Sequence, residues 1–209
     1  SYILATYAAA NAATVEPYKE EVFEGPIVPK MPKPGMIMEE ADMPEFDAKV
    51  LTLSNGMKVY YKKTTFKEVE IRFTANSWGG LSALPQKDRY TLSSLDDVIT
   101  IGGVGNFSAT DLPKVLAGKK VRVAPYIGNY GEGMNGNCSP KDLETMMQLI
   151  YLYFTAPRTD KEAFQSYTQR AKAALENTEL NPMTTFSDSL VKVLYGNHPL
   201  RLRMKAEDI

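Results

Sequence analysis

The chain has 209 residues, 44% of them hydrophobic and 23% charged, with a formal net charge of −1. Near-neutrality argues against a nucleic-acid or anionic-membrane surface, which needs a clustered surplus of Lys and Arg, and a chain of this length buries a core without a disulfide or metal staple. A single cysteine, Cys138, and a single histidine, His198, exclude an intrachain disulfide, a multi-cysteine zinc site and every motif built on two imidazoles.

The chain opens at Ser1 without a methionine and reads as a piece of something longer. Its first 13 residues are small and apolar with Ala-x-Ala steps. They lack a basic leading region and are interrupted by Thr6, Tyr7 and Asn11, so they read as a short helix or frayed end rather than a secretory leader. No run approaches the roughly 18 apolar residues of a membrane span. Residues 1–47 hold six of the 13 prolines and carry net −6, against net +5 for the remainder. Within them, residues 25–35 contain four prolines and cannot sustain a helix or inner strand, because each proline removes a backbone donor. The stretch reads as an acidic, extended linker.

A hairpin pattern begins at residues 49–53 and returns over 57–63, joined by Ser54-Asn55-Gly56. Asn-Gly between β-rich runs is a strong short-range hairpin signal, since both residues tolerate positive φ. A third strand over 69–76 alternates apolar and polar residues. A helix follows over 85–101, stopped by Gly102-Gly103. Ser108-Ala-Thr-Asp111 matches a capping box for a short helix ending at Gly118. Strands over 120–127 and 131–137 come next. Ser139-Pro140 opens a helix that puts Leu143, Met146, Met147, Ile150 and Phe154 on one face. Long helices over 159–177 and from Asn181-Pro182 to Tyr195 complete the order. Strands and helices are segregated rather than alternating, which predicts an α+β fold, a mainly antiparallel sheet with helices packed on one face.

The candidates for chemistry are sparse. Gly103-Val-Gly-Asn-Phe-Ser108 imitates a dinucleotide fingerprint, but it follows a predicted helix and ends in Ser108 where that motif has Gly or Ala. A tight turn after a helix end explains it better. His198 lies in a loop between Gly196 and Pro199 with no Cys or Ser partner nearby, and is read as a loop residue bonding backbone. Cys138 follows Gly136-Asn137 without the adjacent positive charge that activates a thiolate. Asp96 and Asp97 are consecutive on a helix and diverge, so they do not form an acid/base pair. Catalytic, cofactor-binding and metal residues are therefore all read as none.

The order of the pieces resembles the pitrilysin/insulinase family of zinc peptidases, and most closely its large multi-domain bacterial members. The residues that carry the likeness are Leu51-x-Leu-Ser-Asn-Gly-Met-Lys-Val59, Thr64-x-Phe-Lys67 and Ala75-Asn-Ser-Trp-Gly-Gly-Leu-Ser82. They continue with Gly103-Val-Gly-Asn-Phe-Ser108, Asp142-Leu-Glu-Thr145, Leu149-Ile-Tyr-Leu-Tyr-Phe154, Ala156-Pro-Arg158 and Tyr195-Gly-Asn-His-Pro199. The likeness covers residues 49–209. It implies a linker over 1–47 and a domain over 48–209 that is incomplete at its C-terminus.

In catalytic copies of the family domain, the helix after the second strand carries His-x-x-Glu-His, whose imidazoles bind zinc while the Glu activates the bound water. The corresponding residues here, 90–100, contain no histidine. The resemblance thus implies a non-catalytic, C-terminal-half domain that forms part of a peptide-enclosing chamber. Its partner would be the catalytic half of the same polypeptide or a partner subunit, where zinc and proteolysis reside. A scaffold or interaction domain in a family member with no peptidase activity is the alternative. The large bacterial members are frequently exported, which points to the periplasm.

Overall fold

The computed structural model describes residues 2–14 and 25–209. Helix α1 (Tyr2–Ala12) forms where a short N-terminal helix is predicted, and its side chains are exposed throughout. The Pro-rich residues 25–36 adopt no helix or strand. They are nevertheless anchored, because Ile27 and Val28 are 6% and 4% exposed and join the main buried cluster.

Strand β1 (Ile37–Met43) is not anticipated from the sequence, where these residues read as part of the linker. It pairs antiparallel with β2 (Ala48–Leu53), which pairs antiparallel with β3 (Lys58–Tyr61). Asp47, at φ +48°, makes the tight reversal between β1 and β2, a conformation that Asp tolerates better than most side chains. In the second hairpin only Gly56 takes positive φ, at +83°. Asn55 acts instead through its side chain, whose Oδ1 accepts from the Met57 N–H at 3.1 Å. The Gly56 N–H donates to Leu53 O and the Leu53 N–H to Met57 O, both at 2.9 Å. This is the longer, bulged alternative to a two-residue turn.

A second antiparallel sheet contains β4 (Ile71–Trp78), β5 (Val121–Ile127) and β6 (Gly131–Cys138), with β6 in the middle. Its register puts Ile71, Cys138 and Val121 in one row, then Phe73, Gly136 and Val123, then Ala75, Met134 and Pro125. Cys138, Met134 and Val123 are buried, which marks these rows as the inner face. The intervening rows point outward, as the two-residue period of a strand requires.

Between β4 and β5 the predicted single helix is broken into α2 (Arg89–Ser93) and α3 (Leu95–Gly102). The break falls at Ser94, and the neighbouring Ser93 hydroxyl bonds back to Tyr90 O at 2.8 Å; such local bonding by serine competes with helix propagation. Helix α4 (Leu112–Val115) starts after Ser108, whose Oγ accepts from the Asp111 N–H at 3.1 Å.

Helix α5 (Leu143–Thr155) follows β6 and lies against β5 and β6. Its buried face differs from the predicted one: Thr145, Met146, Leu149 and Leu152 are buried, whereas Met147 and Phe154 are 44% and 66% exposed. The helix is apolar almost all round, so periodicity alone did not single out the face that meets the sheet. Helices α6 (Lys161–Glu179) and α7 (Pro182–Tyr195) complete the chain, capped by Asp160, which accepts from Ala163 N–H, and by Asn181, which accepts from Met183 N–H. The predicted α+β architecture is thus present as helices with antiparallel sheet, in two three-stranded sheets.

Candidate functional site

Residues 90–100, where the family resemblance puts the metal-binding helix, form α2 and α3. Asp96 and Asp97 fall in the first turn of α3, where carboxylates complement the helix dipole. Asp96 Oδ1 accepts from the Asp97 N–H at 3.0 Å, and Asp97 Oδ2 accepts from the Tyr167 hydroxyl on α6 at 3.0 Å. Burial, reinforced by the Asp97 carboxylate, pushes the Tyr167 phenol above its ordinary value. Asp97 therefore fastens α3 to α6, while Asp96 is engaged within the first turn of its own helix.

The other residues singled out from sequence lie apart. The His198 ring is exposed, and its Nδ1 accepts from the Leu200 N–H at 3.3 Å, capping a short turn. Cys138 is 2% exposed in the core, and burial together with Asp142 pushes its thiol up. Asp142 is itself buried and accepts from the Ser139 hydroxyl at 2.5 Å and the Lys120 N–H at 2.9 Å; Ser139, followed by Lys120, holds its carboxyl below the ordinary range. Residues 102–108 form a tight turn around Val104, which bridges Phe107 and Pro157 and is fully buried. A Cβ on Gly102 would stand 2.0 Å from Arg158 O, so this turn is packed against backbone with no room for a phosphate.

A zinc ion needs three or more converging, deprotonated donors. Among the described residues no group of three or more His, Cys, Asp or Glu is so placed. The imidazole and the α3 carboxylates are separately engaged and the thiol is buried in the core, so the donors described do not fit zinc.

The outward face of the β4–β6–β5 sheet is the other feature that bears on function. Its rows are Arg72, Asn137 and Arg122, then Thr74, Asn135 and Ala124, then Asn76, Gly133 and Tyr126, with Trp78 at the end of β4. The Tyr126 hydroxyl donates to the Asn76 carboxamide oxygen. The sequence reading did not gather these residues. Alternation along β4 aligns Arg72, Thr74, Asn76 and Trp78, but only the pairing register brings Arg122 across from Arg72.

The described residues define an α+β fold of helices with two antiparallel sheets. No family model matches the chain. A protein named zinc protease PQQL-like from Arabidopsis thaliana is 33% identical over 193 residues, 90% of this chain and 18% of that protein. A probable zinc protease PqqL from Haemophilus influenzae is 25% identical over 163 residues, 78% of this chain and 17% of that protein. Among solved structures, the periplasmic protease PqqL from Escherichia coli superposes with a TM-score of 0.77 at 18% identity, over 99% of this chain and 22% of that one. The ferredoxin protease FusC, solved with Arabidopsis ferredoxin, gives 0.73 at 15% identity, over 99% of this chain and 23% of that one. The solved structures speak to the fold alone. The chain is homologous to part of the PqqL-like zinc proteases of the pitrilysin/insulinase family, in agreement with the resemblance carried by its motifs. It spans about a fifth of the length of the curated relatives it matches.

Proposed function

We propose that this chain is the non-catalytic part of a PqqL-like zinc metallopeptidase, contributing a wall of the chamber that encloses the peptide. Zinc and proteolysis belong to a separate His-x-x-Glu-His domain of the full-length protein, and this chain supplies no catalytic, cofactor-binding or metal residue. The observation that carries the reading is the α2–α3 segment: it stands where a zinc helix is expected, and its acids are spent on local bonds.

Packing against the catalytic half is supported by two exposed apolar stripes. Met147, Tyr151 and Phe154 line one on α5, and Met183, Phe186, Leu190 and Val193 line one on α7. Apolar side chains grouped in this way mark interaction surfaces. Residues 1–47 serve as an inter-domain linker, held to the 48–209 domain through Ile27, Val28 and β1. The periplasm is the proposed compartment, because a solved neighbour is described as a periplasmic protease. No helix among the described residues is long and apolar enough to cross a membrane.

Two measurements test this. Zinc titration of the chain is expected to show no stoichiometric tight binding; tight binding overturns the reading. The full-length protein is expected to hydrolyse peptides only while its His-x-x-Glu-His domain is intact. A full-length protein that lacks this motif, or lacks peptidase activity with the motif intact, selects the scaffold reading instead.

A further inference from the structure

We infer that the outward face of the β4–β6–β5 sheet binds extended peptide segments that carry acidic side chains at one end and apolar ones at the other. The inference rests on the chamber reading for its biological setting, but its evidence is the charge and exposure of this face.

One end of the face is cationic. Arg72 and Arg122 lie in one row with Asn137 between them, on strands flanking the central one. At the usual strand spacing their Cα atoms are about 10 Å apart. Arg72 is 82% exposed, and its only ion-pair partner is Glu70, at 3.6 Å among the described residues. Glu70 is already held by Lys67 at 2.9 Å, and Lys67, ahead of Arg72, keeps its carboxyl below the ordinary range. One carboxylate shared by two cations leaves a positive surplus. Arg122 is exposed and pairs with no acid among the described residues. The two guanidiniums outnumber the one carboxylate beside them, Glu70, and an incoming carboxylate relieves the remaining repulsion while accepting hydrogen bonds. The Asn137 side chain provides a further donor in the same row.

The other end is aromatic. Trp78 is outward on the same strand as Arg72 and is 93% exposed. Six residue steps along the strand separate them, about 20 Å. Between them, Thr74, Asn135 and Asn76 offer uncharged donors and acceptors. An open groove of about 510 Å³ follows the cationic half, where Arg72 and Arg122 outnumber its single acid, Glu70, beside Thr74, Asn135 and Asn137. The next groove, beyond Arg72, is edged by Lys62, Lys63 and Lys67 against Glu68 and Glu70, and so keeps a surplus of positive charge. The chain as a whole carries −1, so this concentration of cations is local. Such a face steers acidic segments and disfavours basic ones.

The experiment uses fluorescein-labelled peptides of about eight residues, long enough to span the roughly 20 Å from Arg72 to Trp78. One has Glu-Glu at one end and Leu-Phe at the other; its counterpart carries Lys-Lys in place of Glu-Glu. Anisotropy measures binding to the full 209-residue chain, and the emission of Trp78, the single tryptophan, reports from the apolar end of the face. The Glu peptide is expected to bind saturably, to shift Trp78 emission and to weaken at high salt, while the Lys peptide binds at least about fivefold more weakly. The double variant R72Q/R122Q is expected to lose at least about fivefold affinity for the Glu peptide, and R72E/R122E to prefer the Lys peptide. Both positions are exposed, so folding of the variants is confirmed by unchanged circular dichroism. Equal binding of the two peptides, no binding of either, or Glu-peptide binding unaffected in both variants overturns the inference. Each of those results leaves the peptidase assays of the full-length protein untouched, so the two readings fail separately.

Discussion

Replacing Met146 by alanine removes a side chain that is 0% exposed, while the adjacent Met147, about 100° round α5, is 44% exposed. The pair isolates the consequence of facing the sheet. Met146 rests on bare backbone: a Cβ placed on Gly136 would stand 3.1 Å from its Sδ and 3.2 Å from Arg122 O. Gly136 belongs to β6, hydrogen-bonded on both sides, so the strand cannot move in to fill the space left by a truncated side chain. Buried Met→Ala changes cost about 2–5 kcal/mol, least where the site collapses. Met146→Ala is therefore expected in the upper part of that range, about 3–5 kcal/mol. For a chain of this size each kcal/mol lowers Tm by about 2–4 °C, giving a drop of roughly 6–20 °C. Met147→Ala is expected to cost about 1 kcal/mol or less, as partly exposed substitutions do. The assay is urea and thermal unfolding followed by far-ultraviolet circular dichroism. Trp78 emission is a poor probe of unfolding, because the ring is 93% exposed in the fold. A loss for Met147→Ala as large as that for Met146→Ala refutes the assignment of the buried face.

Gly133→Ala is expected to destabilise by about 1–3 kcal/mol or more, through backbone overpacking, because its Cβ would stand 1.9 Å from Ala75 O; chemical denaturation measures it. The Arg203 guanidinium, bound to Asp188 at 2.8 Å, holds the Asp188 carboxyl below its ordinary value. A depressed folded-state value means that the stabilisation is present above the unfolded value near about pH 4 and is lost as pH falls through the folded value. Tm is expected to fall below about pH 4, and D188N is expected to show a smaller drop over that range. Cys138, buried and with its thiol pushed up, is expected to react with an aromatic disulfide reagent only in denaturant. Rapid labelling of the folded chain contradicts its placement in the core.

Much of the local structure was legible because its causes are local. Asn55-Gly56 announced the hairpin, although Asn55 works through its carboxamide and only Gly56 takes positive φ. Asn181-Pro182 announced α7, where Asn181 caps and Pro182 occupies the first turn. Helix α6 starts two residues later than expected, at Lys161, because the Asp160 carboxylate caps it. Strand β1 was not legible. Its residues include Glu39, Glu40 and Asp42, a weak strand composition, and it is held by pairing with β2.

What the sequence determined by itself is mostly composition and short-range grammar: one histidine, none of it on residues 90–100, and turns and caps at named positions. Those facts suffice to remove a two-imidazole zinc site from this chain, since ligand identity is a property of the residues present. Tertiary structure decided which face of α5 is buried, that Ile27 and Val28 of the Pro-rich stretch enter the core, and that Arg122 stands across from Arg72 with Trp78 farther along the same face. Each depends on which distant segments meet. Sheet register and helix docking join residues separated by tens of positions, and no local propensity encodes that pairing.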